Sequence, residues 1–237
     1  MKVALSGYGK MGREIEKTAL ESGHSISLVL DNEHDWIEKA SQLTDCDVAI
    51  EFSTPAFAVK NIKRCLESGV PLIIGTTGWY DQLAEIVATC ESKNGTLFYA
   101  SNFSIGVNIF FEISRRLAAL LKNYPAYRPS INEIHHSQKL DAPSGTAISM
   151  ANDVIAANNR FCAWTKGKAS ESEIPLQSIR EGTVPGTHTI TWDSEIDKIT
   201  LTHEAKSRHG FAIGAVMAAE WIQGRKGIYT MKDLLNL

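Results

Sequence analysis

The chain has 237 residues, enough for one large domain or two small ones with real cores. It is 43% hydrophobic and 22% charged with a net charge of −3 and a pI near 6.2, so no broad basic surface is on offer to nucleic acid, and the expected ligand is a small molecule. Cys46, Cys65, Cys90 and Cys162 lack paired spacing and read as reduced thiols. An early glycine interrupts any signal-peptide core, and no run of about eighteen apolar residues occurs, so a soluble cytoplasmic protein without membrane contact is expected.

Lys2 to Ser6 reads as a short strand. It leads into Gly7-Tyr8-Gly9-Lys10-Met11-Gly12 and a helix with Met11, Ile15, Ala19 and Leu20 on one side. This is G-x-G-x-x-G in its meaningful context: the first glycine makes the tight turn, the second admits a pyrophosphate to the backbone, and the third lets helix and strand pack closely. A second strand, Ser25 to Leu30, ends at Asp31, where a carboxylate can accept from ribose hydroxyls. Strands at Val48–Phe52, Pro71–Ile74 and Thr96–Tyr99 alternate with helices at Pro55–Ser68 and Asp81–Cys90, which implies a parallel, doubly wound sheet. Ligands of such sheets lie beyond the carboxyl ends of the strands. Ser53-Thr54-Pro55, Gly75-Thr76-Thr77-Gly78 and Ser101-Asn102-Phe103-Ser104 occupy those ends, and each taken singly is equally a turn or helix cap.

After Asn102 the pattern changes. Ile105 to Leu121 reads as a long helix, Ser130 to His136 as a strand and Ala147 to Asn158 as a helix, while residues 160 to 186 are poorer in signal, with Gly167, Gly182, Pro185 and Gly186 marking loops. Thr187–Trp192 and Lys198–His203 alternate with period two and form a hairpin; Phe211 to Gln223 is a small-residue helix, followed by a short segment with Leu234 and Leu235. The expected architecture is an N-terminal Rossmann sheet (residues 1–104 and 210–237) and an α+β domain with a mixed sheet (105–209). If the second domain is an insertion between about residues 104 and 210, Asn102–Ser104 and the segment near Arg208 become hinges, and closure is expected to bring Lys139 toward the bound nucleotide and to exclude water.

The densest chemistry lies at 133–146, Glu-Ile-His-His-Ser-Gln-Lys-Leu-Asp-Ala-Pro-Ser-Gly-Thr. His135 and His136 are candidate proton carriers, Lys139 is a fixed cation, and Ser144-Gly145-Thr146 opens a helix whose first N–H groups hold carboxylates or phosphates well. Read from these residues alone, a solvated histidine pair, an exposed Lys139–Asp141 ion pair and an ordinary cap fit equally well. No metal is expected, since neither a helical His-Glu-x-x-His nor a Cys-x-x-Cys accompanies the pair.

Several stretches together resemble the 4-hydroxy-tetrahydrodipicolinate reductase family, long called dihydrodipicolinate reductase: Gly7–Gly12, Phe52–Pro55, Gly75–Gly78, Asn102–Asn108, Glu133–Thr146, Val184–His188 and His203–Trp221. The resemblance implies reduction of 4-hydroxy-tetrahydrodipicolinate to tetrahydrodipicolinate by NADH or NADPH, with loss of water, on the diaminopimelate route to lysine. It places the proton donor on His135 and a substrate-binding lysine on Lys139, with His136 beside them and the substrate carboxylate on Ser144, Gly145 and Thr146. It puts the cofactor along Gly7 to Gly12, Asp31, Phe52, Gly75, Thr76 and Thr77, with Ala100, Asn102 and Phe103 on the stretch leading into the hinge. The hairpin sheet would join copies in a homotetramer. Asn32 stands where some members carry an arginine for the 2′-phosphate, Ser101 where many carry proline, and the chain is shorter than many members. Another two-domain dehydrogenase, acting on an amino acid, would leave the His135, His136 and Lys139 grouping without a purpose; a non-catalytic nucleotide sensor would not need it either.

Overall fold

A computed structural model describes all residues, Met1–Leu237, and the chain divides into two compact units: 1–105 with 208–237, and 106–207.

The first unit begins with β1 (Lys2–Ser6), α1 (Lys10–Glu21), β2 (Ser25–Leu30) and α2 (Glu33–Lys39), the last running into a 3₁₀ turn at Ala40–Asp45. Then follow β3 (Val48–Glu51), α3 (Pro55–Ser68), β4 (Leu72–Ile74), α4 (Leu83–Ser92) and β5 (Thr96–Tyr99). Pro55 sits in the first turn of α3, where its missing N–H costs nothing, and Gly69 ends that helix at φ 75°. α1 buries Gly12, Ile15, Thr18 and Ala19; Leu20, expected on the same face, is instead 54% exposed.

α5 (Ile105–Leu120) leads into the second unit, which contains β6 (Arg128–His135), α6 (Gly145–Ala157), β7 (Ala163–Thr165), β8 (Glu173–Arg180), β9 (Gly186–Asp193) and β10 (Lys198–Ala205). The chain then returns to the first unit with α7 (His209–Trp221), β11 (Gly227–Tyr229) and α8 (Met231–Leu235).

The sheet of the first unit has the order β11-β5-β4-β3-β1-β2, with every pair parallel. Successive residues point to opposite faces. Accordingly Val3, Leu5, Val48, Ile50 and Phe98 join one core with Ala212, Ala215 and Ala219 of α7. Ala4, Ala49, Leu72, Ile74 and Leu97 join another with Ile62 and Ile86 of α3 and α4. Each fully buried Leu or Ile contributes about 1.5–3 kcal/mol. Small residues bring α7 very close to its neighbours, and a Cβ on Gly214 would lie 1.8 Å from the Phe103 carbonyl oxygen.

The second sheet, β10-β9-β6-β8-β7, is mixed: β6 runs antiparallel to β9 and parallel to β8. Residues 160–186, poor in sequence signal, supply β7 and the eight-residue interior strand β8. One face of the sheet packs with α6, where Ala147, Met150, Ala151 and Val154 meet Ile131, Ile174, Leu176, Ile190 and Trp192.

Candidate active site

The core-facing row of β6 decides where chemistry can occur. Ile131, Glu133 and His135 alternate on one face and all are buried. Register sets Ile131 beside Ile190 and Leu176, Glu133 beside His188 and Ser178, and His135 beside Arg180. Successive rows therefore pass from apolar core to an ionic cluster, and the N-terminus of α6 meets that cluster through Ser144.

Glu133 is fully buried. Its Oε1 accepts from the Ser144 backbone N–H at 3.0 Å and from Arg180 Nη2 at 2.9 Å, and its Oε2 lies 2.8 Å from His135 Nδ1. That last contact is off the line of a well-formed hydrogen bond, since Nδ1 and Oε2 both lack an aligned partner, and it acts as a close ion-pair contact. Burial alone would raise the Glu133 pKa, but the close contact with His135 and the hydrogen bonds from Ser144 and Arg180 outweigh it and hold the carboxyl far below the usual range. Glu133 is thus a buried, ionised carboxylate, made tolerable by Arg180.

The His188 ring stands edge-on to that of His135, with centroids 5.0 Å apart. Its Nε2 lies 3.2 Å from Ser144 Oγ. Burial, reinforced by His135, pushes the His188 pKa down to about 4, so it is neutral near pH 7. Glu133, His135 and His188 have the donor types of a metal site and cluster within 4.8 Å. The 2.8 Å carboxylate–imidazole contact is nevertheless shorter than the ~3.3 Å ligand–ligand edge that 2.0–2.1 Å bonds give tetrahedral zinc, and it is the spacing of groups in direct contact.

Ser144 caps α6 by accepting from Ala147 N at 3.2 Å. The next N–H groups, at Gly145 and Thr146, have no helical acceptor and point along the positive end of the helix. Gly145 is exposed, with open space where a side chain would be. His136 is half-buried, and its carbonyl accepts from Lys139 N at 3.0 Å. The Lys139 ammonium is paired with Asp141 at 2.9 Å. His135, His136, Lys139, Ser144, Gly145 and Thr146 therefore share one stretch of the second unit. Glu133, Arg180 and His188 complete their surroundings, although the sequence reading gave these three no role.

In the first unit, Gly9, Lys10, Met11, Phe52, Ser53, Pro55, Gly75, Thr76 and Thr77 line a cleft of about 420 Å³. It lies where the chain reverses between β1 and β3, beyond the carboxyl ends of the strands. A Cβ on Gly7 would fall 2.4 Å from the Phe52 carbonyl oxygen, and one on Gly12 would fall 2.3 Å from that of Gly7, whereas Gly9 faces open space. Tyr8 N donates to Asp31 Oδ1 at 2.6 Å, and the Tyr8 hydroxyl donates to Glu16. These features fit a dinucleotide: a tight glycine turn, an accessible backbone at Gly9 and a carboxylate at the end of β2. Thr76 Oγ1 accepts from Ser53 N at 2.8 Å and joins two walls of the cleft. Ala100 and Phe103 are packed in the core, Phe103 between Phe52 and Phe98, while Asn102 Oδ1 accepts from Ser104 N at 2.9 Å.

Known proteins combine the same two parts. The family description "Dihydrodipicolinate reductase, N-terminus" matches residues 1–103, and "Dihydrodipicolinate reductase, C-terminus" matches 106–235. A 4-hydroxy-tetrahydrodipicolinate reductase of Christiangramia forsetii is 46% identical over 239 residues, covering 100% of this chain and 98% of the relative. One of Neisseria meningitidis serogroup B is 33% identical over 271 residues, again covering 100% and 98%. That alignment exceeds the length of the chain, so the Neisseria relative has segments this chain lacks. Among solved structures, a dipicolinate-bound dihydrodipicolinate reductase from Paenisporosarcina sp. TG-14 superposes with a TM-score of 0.75 at 25% identity, covering 97% of each chain. With both halves matched end to end, the chain belongs to the dihydrodipicolinate reductase family.

Proposed function

We propose that this chain reduces 4-hydroxy-tetrahydrodipicolinate to tetrahydrodipicolinate with NADH or NADPH, releasing water, in lysine and diaminopimelate synthesis. Membership of the family supports the reaction. The observation that carries it into chemistry is the buried Glu133–His135 contact directly beside the first turn of α6, which pairs a proton carrier with an anion cradle.

The first unit is assigned the nucleotide, along Gly7 to Gly12, Asp31, Phe52, Gly75, Thr76 and Thr77, with Ala100, Asn102 and Phe103 supporting that wall. When bound, the nicotinamide supplies a hydride from C4. Net, one hydride and one proton enter the ring and its hydroxyl leaves as water. In the second unit, Gly145 and Thr146 N–H groups hold one substrate carboxylate, aided by Ser144, and His136 flanks it. Lys139 exchanges Asp141 for the substrate and stabilises developing negative charge. His135 delivers the proton, a role typically worth about 10² to 10⁴ in rate. Asp31 accepts from ribose hydroxyls and repels a 2′-phosphate, so NADH is used at least as well as NADPH.

No helix is long and apolar enough to cross a membrane, and a cytoplasmic location is proposed. The β9–β10 hairpin, with its exposed Thr189–Thr202 and Thr191–Thr200 pairs, is proposed as the surface that joins four copies. The test is nucleotide oxidation at 340 nm, a wavelength roughly at the reduced nicotinamide band, with the freshly made condensation product as substrate. Absence of substrate-dependent oxidation with either nucleotide refutes the assignment.

A further inference from the structure

We infer that Glu133 is the positioning residue of this site: one of its carboxylate oxygens decides which nitrogen of His135 gives up a proton, and the other holds the turn that opens α6. The inference rests on the assignment of His135 as proton donor and adds a residue to which the sequence reading gave no role.

Oε2 stands 2.8 Å from His135 Nδ1. An ionised carboxylate at that distance repels a nitrogen lone pair and attracts an N–H, whether or not the bond is well aligned. Nδ1 therefore keeps its hydrogen in both protonation states, and the proton that leaves comes from Nε2. The surroundings of Nε2 agree. It faces Gly186, where a Cβ would come within 2.9 Å, so a glycine there spares that nitrogen a side-chain contact. In the imidazolium state the cluster of Glu133, His135 and Arg180 carries one net positive charge, suited to a dianionic substrate. After donation it is neutral, which favours release of the product.

Oε1 performs the second task. It accepts from the backbone N–H of Ser144 at 3.0 Å, and Ser144 in turn caps α6 through its hydroxyl. Arg180 Nη2 donates both to Oε1 and to the Asp141 carbonyl, which ties the 141–144 segment to the same carboxylate. Proton donor and anion cradle are thus referenced to a single buried group, and their separation is set by one side chain on β6.

Glu133→Gln separates the two tasks. Its amide oxygen still accepts from Ser144 N, while its NH₂ faces Nδ1 and draws the lone pair there. The expected result is a fall in kcat of about 10²-fold or more with the dissociation constant for pyridine-2,6-dicarboxylate held within about threefold. Nitrogen-15 NMR at alkaline pH, with His135 assigned by its absence in His135→Gln, should show the neutral ring as Nδ1–H in the wild-type protein and Nε2–H in Glu133→Gln. Glu133→Ala, which keeps neither contact, should lose dicarboxylate binding as well. A kcat within about threefold of wild type in Glu133→Gln, or a parallel loss of kcat and dicarboxylate affinity there, overturns the inference. The wild-type tautomer decides it even if Glu133→Gln fails to fold: an Nε2–H ring overturns it. Because the tautomer is read without turnover, failure of the reductase assignment itself would appear separately, as a wild-type protein inactive on the condensation product.

Discussion

Glu133 and His188 stand directly opposite each other across the antiparallel β6–β9 pair, with Oε2 3.9 Å from Nε2, yet only the carboxylate is charged near pH 7. Burial and the neighbouring His135 outweigh the attraction of Glu133 and depress the His188 pKa from 6.5 to about 4. An unfolded chain therefore binds a proton in this window that the folded one refuses. The stability concerned is fully present above pH 6.5 and is lost as pH falls toward 4, by about 3 kcal/mol at most. His203, also depressed by burial, contributes in the same direction, while the carboxylate of Glu133 becomes important only at lower pH. Denaturant unfolding from pH 7 to 4 should show this slope, and His188→Gln should flatten part of it even if it lowers stability at pH 7. An unchanged slope would show that His188 is not the group refusing the proton.

Local pattern made the first unit largely legible. The strand, glycine loop, helix, second strand and Asp31 follow one another within a few dozen residues, and each signal is short-range. What escaped was short or internally contradictory. α2 has seven residues and only Trp36 buried, and β7 and β11 have three residues each, too few to show a period. β8 carries Pro175 and charged ends, which argue against an interior strand, but burial of Ile174 and Leu176 between β6 and β7 overrides them. The site divides in the same way. His135, Lys139 and Ser144 are close in sequence and could be grouped by eye. Arg180 and His188 reach Glu133 from 47 and 55 positions away through strand register, which no local pattern reveals.

Two glycines separate fold from function. A Cβ at Gly214 would sit 1.8 Å from a backbone oxygen, that of Phe103, which cannot swing aside. Gly214→Ala should therefore destabilise the protein by about 3 kcal/mol, at the upper end for overpacking. Gly9 has open space on its Cβ side and borders the cleft. Gly9→Ala should change stability by no more than about 1 kcal/mol, yet raise KM for NADH by roughly tenfold as the methyl group meets the pyrophosphate. Unfolding midpoints and nucleotide saturation curves measured on both variants check the contrast, and equal effects on stability would refute it.

The proposed cofactor preference rests on Asp31. Its Oδ1 already accepts from Tyr8 N at 2.6 Å, which fixes the carboxylate at the end of β2. Lys10 and Arg13 lie by the glycine loop and offset only part of its repulsion of a 2′-phosphate. The wild-type kcat/KM should not favour NADPH by more than about tenfold, or 1.4 kcal/mol in the transition-state difference. Asp31→Asn should move the ratio toward NADPH by about that factor. A wild-type ratio well beyond this limit would refute the assigned role.

The division of labour between His135 and Lys139 follows from where each is held. His135 is buried at the end of β6, against Glu133; Lys139 lies on the loop beyond it, with its ammonium 2.9 Å from Asp141. A group that transfers a proton acts in the transition state, so His135→Gln should lower kcat by about 10²-fold or more while leaving the affinity for pyridine-2,6-dicarboxylate nearly intact. A group that holds the substrate acts in both states, so Lys139→Gln should raise KM and weaken the inhibitor as well as lower kcat. On the proposed role, the Asp141 pair competes with that binding. Because Asp141 is more than half exposed, the competition is weak, and Asp141→Asn should tighten the inhibitor by only about two- to fivefold. The inhibitor should compete with substrate throughout, since the proposed site places the carboxylates of both on the same N–H groups at Gly145 and Thr146. Steady-state kinetics and calorimetric titration of the three variants measure each quantity. If His135→Gln keeps a near-normal kcat while still binding the inhibitor, proton delivery belongs to another group, and His136, one residue along the same loop, is the first to replace.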